Sequence, residues 1–415
     1  MRCPTCGAEY HAHDRFCTHC GAPLSTAAGA SAAQVANVRP STGHPSSTSA
    51  GHPHGSIEPA AHHPAARTST TAAQPGQRHG TLRAAELRLE RLAGTQDLEG
   101  FSLRDMFGEV FKHRTEDELD DYLVCGTPQT TPALHEVKPA WPRPWLFGRM
   151  LLFIGALYAG LAFAAFNFQN INAVPGMLMM GALAVPLAVL TLFFELNVPR
   201  NVSLYTTLML MTFGGVFAII VALFGYQVKE LNWLGASSAG IVEESGKLLV
   251  VALLMRQAKY KYILNGLLFG AAVGAGFAWF ESGGYAFQQL LQSQSLAAAV
   301  NLTQTRALLS PFGHVAWTAI AAGALWRAKG DAPMTVKPFT DGGFWKAFLI
   351  PVVLHGLWDS PIPAVFDLKY IAIGIVGWFV VFGLVQQGLW QVRDEQRASS
   401  PAAEPAGIAS APAGS

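Results

Sequence analysis

The chain has 415 residues, of which 51% are hydrophobic and only 13% are charged, and its formal net charge is +1. This apolar, charge-poor composition excludes an ordinary soluble protein and is typical of a polytopic membrane protein. The near-zero net charge gives no electrostatic reason to expect a nucleic acid or another acidic partner. Four of the five cysteines lie in the first twenty residues, which predicts metal binding in a reducing compartment rather than a disulfide framework.

Two C-x-x-C-G motifs stand near the start of the chain and are separated by ten residues. A glycine after each cysteine pair can adopt positive φ, which turns backbone N–H groups toward the sulfur atoms. Four thiolates form a closed tetrahedral zinc site, which is structural because it leaves no position open for chemistry. Residues 1–24 thus resemble the short zinc ribbons at the ends of bacterial membrane proteins. The predicted zinc ligands are Cys3, Cys6, Cys17 and Cys20.

Residues 25–80 are rich in Ala, Ser, Thr, Pro and Gly without a periodic apolar face, which predicts a disordered linker. Residues 81–143 regain leucines at helical spacing and are predicted to form cytosolic amphipathic helices, either on the membrane surface or as a small subdomain. Ser102 can cap one of these helices, and Thr115 with Glu118 forms a capping box at the start of another. Cys125 is interpreted as a packed thiol.

Beyond residue 143 the chain is a series of apolar segments, each near the ~20 residues that cross a bilayer. The predicted spans are 145–168, 173–195, 203–224, 236–255, 262–282, 306–327, 344–360 and 369–390. We therefore predict an all-α polytopic membrane protein, a bundle of about eight transmembrane helices over 144–392 that follows the zinc ribbon. A disordered tail is predicted over 393–415.

Basic residues predict the orientation of the bundle. Those that flank spans one, two, four, six and eight fall on one side if both termini are cytoplasmic, which also places the ribbon in the reducing cytosol. These residues are Arg143, Arg149, Arg200, Arg256, Lys259, Lys261, Arg327, Lys329, Lys337, Arg393 and Arg397.

The fourth span contains three charged residues, Glu243, Glu244 and Lys247. One charge at the bilayer centre costs at least ~2.5–3.5 kcal/mol on insertion scales, so three in one span indicate a function that requires them. Lys247 lies four residues after Glu243 and three after Glu244, so ion pairing on one helix face lowers the cost.

Three further spans carry polar groups at a similar predicted depth. Glu281 follows a seam of glycines at four-residue spacing (Gly266, Gly270, Gly274), which lets another helix approach closely. In span six a polar stripe contains Arg306, Ser310, His314 and Thr318, and span seven ends with His355 and Asp359. The predicted orientation places the carboxylates and imidazoles of spans four to seven in the outer half of the membrane, which predicts a single polar cavity. Taken singly, a histidine could instead bond a carbonyl group and Asp359 could cap a turn, and Glu195 is assigned no chemistry.

Four ordered motifs, Glu243-Glu244-x-x-Lys247, Phe277-x-x-x-Glu281, His314 and His355-x-x-x-Asp359, resemble those of the PrsW family of intramembrane proteases. That family looks distantly related to the CAAX prenyl proteases and bacteriocin-processing enzymes. The resemblance covers Trp145 to Val392 and excludes the ribbon and linker. It implies peptide-bond hydrolysis in or beside a bacterial inner membrane, with single-span proteins such as an anti-sigma factor as substrates.

We hypothesise that Glu243 activates water, that Glu244 and Lys247 balance the charge of the site, and that His314 and His355 polarise the scissile carbonyl. Asp359 would orient an imidazole, and Glu281 would share a proton with the other carboxylates. An alternative uses the two histidines and one or two glutamates as ligands of a catalytic zinc, with a remaining glutamate as base.

Two other functional classes fit the intramembrane charges. A transporter or channel would use them as a proton or ion relay, although no inverted repeat of broken helices is present, and a membrane scaffold would use them structurally. The ribbon is interpreted as an adaptor for a protein partner, since no dense basic cluster near it predicts nucleic acid.

Overall fold

The computed structural model describes residues 2, 98, 100–363 and 368–399. The polypeptide divides into two units, Met1–Ala73 and Gln74–Ser415, and every described residue except Arg2 belongs to the second. The predicted ribbon ligands Cys3, Cys6, Cys17 and Cys20, the linker and residues 400–415 lie outside the described residues.

Within 100–363 and 368–399 all regular secondary structure is helical, which confirms the predicted all-α class. Two short helices, α1 (Leu103–Gly108) and α2 (Glu116–Leu123), precede the bundle. The helices of the bundle are α3 (Leu146–Asn167), α4 (Ala173–Leu196), α5 (Leu204–Met209), α6 (Gly215–Gly225), α7 (Ala239–Leu254), α8 (Ile263–Ser293), α9 (Leu296–Leu309), α10 (His314–Lys329), α11 (Gly342–Trp358) and α12 (Leu368–Ser399). A π-helical turn, Leu210–Gly214, joins α5 to α6.

Each of the eight apolar segments predicted to cross the membrane forms helix. Six regions of the described chain are long and apolar enough to do so, with Leu204–Gly225 and Leu296–Lys329 each counted as one. The other two predicted spans are α7 and α11, which have 16 and 17 residues, fewer than the ~20 that a bilayer requires. These two short helices carry four of the seven predicted catalytic residues, and a fifth, Asp359, directly follows α11.

Two boundaries of the predicted spans are wrong. The fifth span was expected to end at residue 282, but α8 continues to Ser293 because its second half packs on α4 and α9 through Ala286 and Leu290. The sixth was expected to be one helix from residue 306, yet the helix breaks between Leu309 and His314. Pro311 has no N–H to donate there, and Gly313 has a non-helical backbone conformation.

The segment that precedes α3 packs against one end of the bundle. The Arg149 Nε donates to the carbonyl oxygen of Val110 (3.1 Å), and the Cys125 thiol lies 3.5 Å from the carbonyl oxygen of Val202. Burial raises the pKa of the Cys125 thiol, so this cysteine is a packed thiol, as predicted. The capping box is also present, since the backbone N–H of Thr115 donates to Glu118 (3.0 Å) and that of Glu118 to the Thr115 hydroxyl (3.2 Å).

The last helix also contributes to this end. Gln396 donates to the carbonyl oxygens of Leu134 (2.6 Å) and Val137 (2.7 Å), and Glu395 pairs with Lys261. These contacts explain why α12 continues to Ser399 and into the segment that was predicted to be a disordered tail from residue 393.

Glu195, to which the sequence assigned no chemistry, anchors the start of α3. Its carboxylate accepts hydrogen bonds from the backbone N–H groups of Trp145 (2.7 Å), Leu146 (2.8 Å) and Phe147 (2.9 Å). It also accepts from the hydroxyl of Tyr122 (3.1 Å), whose pKa is raised by burial and by the Glu195 charge. A carboxylate at this position satisfies N–H groups that have no partner within the helix and matches the positive end of the helix dipole.

We expect Glu195→Gln to lower the free energy of unfolding by roughly 1.5–3 kcal/mol, the usual contribution of hydrogen bonds to a charged group. The amide nitrogen of glutamine cannot accept the hydrogen bonds that one carboxylate oxygen accepts. Thermal unfolding in detergent would measure the loss, with the exposed Glu230→Gln as the control. A loss equal to that of the control would contradict the anchoring role.

The predicted glycine seam brings α8 and α10 into close contact. A Cβ atom added at Gly266 would lie 2.6 Å from the Cβ of Trp326, and one at Gly274 would lie 2.5 Å from the carbonyl oxygen of His314. Neither helix could approach so closely with side chains at these positions. The seam therefore sets the distance between Glu281 on α8 and His314 at the start of α10.

Candidate functional site

Seven ionisable side chains from four helices meet inside the bundle. They come from α7, α8, α10 and from α11 with the residue that follows it, and we refer to them as the Glu–His cluster. Its members are the seven residues that the sequence analysis proposed as catalytic, Glu243, Glu244, Lys247, Glu281, His314, His355 and Asp359.

Lys247 and Glu244 form the buried centre of the cluster, and both are 0% exposed. The Lys247 Nζ lies 2.7 Å from Glu244 Oε1, 3.4 Å from Glu243 Oε2 and 2.8 Å from His314 Nδ1. Thr318 donates its hydroxyl to the other oxygen of Glu244 (3.3 Å). The ammonium group thus compensates the two adjacent carboxylates that make this part of α7 costly to bury.

Each histidine uses one ring nitrogen to contact a carboxylate that holds the ring in place. His314 Nε2 lies 3.0 Å from Glu281 Oε2, and His355 Nδ1 lies 2.9 Å from Glu244 Oε1. The remaining nitrogens, His314 Nδ1 and His355 Nε2, face the Glu243 carboxylate at 3.9 and 3.8 Å. In metal sites, the histidine nitrogen that does not bind the metal usually donates a hydrogen bond to a carboxylate, which orients the ring.

Asp359 contacts the second nitrogen of His355, since its Oδ2 lies 3.2 Å from Nε2. Carboxylate oxygens therefore face both ring nitrogens of this histidine. A neutral imidazole has a single N–H, so the second contact requires either a proton or a cation between the ring and the carboxylates.

Two aromatic residues fix the positions of the charged groups. The Lys247 ammonium lies 4.2 Å from the ring centre of Phe277, which explains why the motif that ends in Glu281 begins with an aromatic residue. Trp317 stacks on His355 with the ring centres 4.5 Å apart. The sequence analysis did not single out Trp317, because an aromatic residue in an apolar helix has no distinguishing signal.

Two further residues contact the cluster and were not among the predicted site residues. The Tyr226 hydroxyl donates to Glu243 Oε1 (2.6 Å), and Arg306 Nη2 donates to Glu281 Oε2 (2.7 Å). Arg306 also donates to the hydroxyl of Ser282 (3.0 Å). Arg306 belonged to the polar stripe of the sequence analysis and could have been found there, whereas no sequence pattern marks Tyr226.

The cluster opens into a polar cavity of about 470 Å³. Glu243, Glu281, His314, His355 and Asp359 all line it, while Glu244 and Lys247 lie behind them. The segment between α6 and α7 supplies the outer wall through Asn232, Gly235, Ala236 and Ser238. Water and a peptide group can therefore reach the outer members of the cluster.

The cavity lies far from the end of the bundle against which the segment before α3 packs. With a rise of 1.5 Å per residue, the carboxylate and imidazole residues of the cluster lie about 15 to 27 Å along α7, α8, α10 and α11 from their ends on that side. The hydrocarbon core of a bilayer is ~30 Å thick, so this depth is in the half of the bundle distant from the basic residues.

The donor set of the cluster fits a divalent cation once His314 Nδ1 is released from the Lys247 ammonium, which lies 2.8 Å away. Glu243, His314 and His355 each offer one ligand atom, and these three atoms all lie within 4.8 Å of one another. Two imidazole nitrogens and a carboxylate oxygen are a common ligand set of catalytic zinc, which keeps a further position for water or substrate.

One known protein family matches the helices that carry the cluster. Residues 170–385, just over half of the chain, match the model described as PrsW family intramembrane metalloprotease. The chain belongs to this family. The match contains the whole Glu–His cluster and confirms the resemblance on which the prediction rested, and nothing favours the transporter alternative. Residues 2–24 match a zinc-ribbon domain, which confirms the predicted ribbon in this PrsW family member.

A curated relative agrees with the family match. Protease PrsW from Clostridioides difficile (strain 630) is 30% identical over 135 residues, which is 32% of this chain and 52% of the relative. The aligned part of the chain thus spans about half the length of the relative. No solved structure matches.

Proposed function

We propose that this protein is an intramembrane endopeptidase that hydrolyses peptide bonds of membrane-protein substrates at the Glu–His cluster. The observation that supports this most is that carboxylates and imidazoles of four helices line one cavity inside an apolar bundle. Burying so many ionisable groups in a membrane domain is costly, and the family to which the chain belongs supplies a reaction that needs them.

The reaction requires a proton acceptor beside the attacking water and positive or hydrogen-bonding groups beside the scissile carbonyl. A cluster carboxylate takes a proton from water as the water oxygen attacks the carbonyl carbon, and it returns that proton to the leaving amine. The acceptor is Glu243 if this residue binds no ion, and Glu281 if it does. Without an ion, the tetrahedral oxyanion is stabilised by the imidazole of His314 or His355 and by the hydroxyl of Tyr226.

Glu243, His314 and His355 are the residues that would hold zinc. A bound zinc ion would polarise the carbonyl and make water more acidic. Around such an ion Glu244 and Glu281 orient the histidines, and Lys247 offsets the charge of the two adjacent glutamates.

The proposal is tested by comparing the membrane proteomes of cells that produce the intact chain and cells that produce Glu243→Gln. We expect cleaved membrane-protein fragments only with the intact chain, at equal levels of the two folded proteins. Identical fragment patterns would reject the protease function and leave a relay or a scaffold.

We expect zinc at the cluster independently of the ribbon. The purified chain should hold one zinc ion in the ribbon and a second at the cluster. Cys17→Ser/Cys20→Ser should lose only the first, and His314→Ala/His355→Ala only the second. Elemental analysis of the three proteins would measure their zinc content. A Cys17→Ser/Cys20→Ser chain that holds no zinc and still hydrolyses substrate would contradict the metal-dependent version and favour the glutamic one.

The remaining assignments concern the setting of the reaction. Both termini face the cytoplasm of a bacterial cell, so the cavity opens toward the outer leaflet. Residues 144–392 form the protease domain, 81–143 a cytosolic segment and 25–80 a linker that carries the ribbon. The ribbon binds a protein partner, and the substrates are single-span membrane proteins of the anti-sigma-factor kind.

A further inference from the structure

A second cavity reaches the Glu–His cluster from the side of the bundle. It has a volume of about 370 Å³ and lies between α6 and α8, and we call it the α6–α8 cleft. It is lined by Ile219, Ala222, Leu223, Tyr226, Glu243, Phe277, Glu281, Gly284, Tyr285 and Gln288.

The cleft exists because α6 and α8 touch at glycines and then diverge. A Cβ added at Gly215 would lie 2.6 Å from the backbone of Gly276, so the two helices are in backbone contact at this level. A π-helical turn, a feature frequent at functional sites, comes directly before this crossing. Further along both helices the cleft opens between Leu223 on α6 and Gly284 on α8.

The cleft joins a lipid-facing surface to the reactive groups. On its outer side Leu223 is 59% exposed, and the Cβ position of Gly284 has no atom within 4 Å. On its inner side are the carboxylates of Glu243 and Glu281. An apolar wall with two carboxylates at its base suits a peptide that arrives from the bilayer rather than from water.

The polar and the lateral cavities meet at the same side chains. Tyr226, Glu243, Glu281 and Tyr285 line both. The polar cavity is bounded by Asn232, Ser238 and Asp359, groups that hold water, whereas the lateral one is bounded by aliphatic side chains of a helix that is only 33% buried. The cluster therefore has one approach suited to water and another suited to an apolar chain.

The hydrogen bonds of a helix limit the form in which a substrate can react. In an α-helix the scissile carbonyl is occupied by its own hydrogen bond to an N–H four residues further on. Unwinding frees this carbonyl for attack by water.

We propose that the α6–α8 cleft is the binding site for the transmembrane segment of the substrate, which enters laterally from the bilayer and unwinds beside Glu243. Water reaches the same bond through the polar cavity. This inference rests on the proposed protease function and adds the route and the conformation of the substrate.

The test fills the cleft without touching the cluster. Gly284→Trp places an indole in the open space between α6 and α8. Gly160→Trp on α3 is the matched control, because Gly160 is also exposed, helical and without an atom near its Cβ position. Leu223→Trp fills the cleft from the α6 side and replaces Gly284→Trp in the test if that variant does not fold.

Two substrates separate the two routes. One is a membrane protein that the intact chain cleaves, as identified by the proteome comparison, and the other is a soluble peptide that spans its cleavage site. We expect the cleft variants to lower kcat/KM for the membrane protein at least about tenfold through loss of positioning, and to leave cleavage of the peptide unchanged. Gly160→Trp should change neither.

Three results would overturn the proposal in distinguishable ways. If the cleft variants cleave the membrane protein as fast as Gly160→Trp does, the substrate uses another route. If they slow the peptide and the membrane protein equally, the indole disturbs the cluster and the cleft is no separate entry. If the purified intact chain cleaves neither substrate, another enzyme produces the fragments seen in cells and the protease function itself is wrong.

Discussion

In a purified cleavage assay Glu243→Gln is expected to lower kcat by about 10²- to 10⁴-fold, the contribution of a positioned proton acceptor or donor. Glutamine has nearly the shape of glutamate, and its amide oxygen can still accept the hydrogen bond from Tyr226. The fold and substrate binding should therefore persist while the chemistry is lost. A lower kcat is also expected if Glu243 is a zinc ligand, because a neutral amide is a weaker ligand than a carboxylate.

Glu195→Gln is the matched control for this variant. Glu195 and Glu243 are both 6% exposed, but Glu195 contacts only backbone N–H groups and Tyr122 at the other end of the bundle. Its replacement should cost stability and leave the rate per folded molecule unchanged. A normal rate with folded Glu243→Gln would exclude Glu243 from the chemistry in both versions of the mechanism.

Lys247→Met is expected to lower the free energy of unfolding by about 3–5 kcal/mol, the cost of leaving a buried charge without its partner. The ammonium group is 0% exposed and lies between two carboxylates and an imidazole, so its removal leaves Glu243 and Glu244 to repel each other. The yield and thermal unfolding of the protein in detergent would measure the effect.

A second buried lysine provides the comparison. Lys329 is 5% exposed, and its Nζ donates to the carbonyl oxygens of Tyr260 (3.0 Å) and Gly330 (3.2 Å). Lys329→Met loses hydrogen bonds to uncharged carbonyl groups and leaves no carboxylate without its partner, so it should lower the free energy of unfolding by less than Lys247→Met does. The double variant Lys247→Met/Glu244→Gln should recover stability but no activity, because it removes the charge that Lys247 compensated. If Lys247→Met is no less stable than Lys329→Met, the proposed charge balance is wrong.

The helices were predictable from sequence where their apolar character is continuous. The eight apolar segments all became helices because the bilayer requires every backbone group to find a partner within its own segment. Local breaks were less predictable. No local pattern predicts that α8 extends through the adjacent glycines Gly283 and Gly284, since that extension depends on packing against α4 and α9.

The site was predictable because charge is rare in this domain. Glu243, Glu281, His314 and His355 stand out on otherwise apolar helices, and basic residues beside the spans place them at one depth. Tyr226 was missed as a site residue because no sequence pattern marks it, and Arg306 was seen in the polar stripe of span six but not assigned to the site. The contacts of both residues depend on which helices lie side by side. The sequence predicts how deep a residue lies in the membrane, but not which helices are neighbours.

The amino-acid order alone determined that the chain is a helical membrane protein with a zinc-binding start and a set of charged groups at a common level. These properties follow from hydropathy, residue chemistry and spacing, which act locally along the chain. Only the tertiary structure decided that His314 Nδ1 and His355 Nε2 both face Glu243, and that α6 and α8 separate above a glycine contact. Lateral packing between helices distant in sequence produces both features, because close approach depends on side chains from two segments at once.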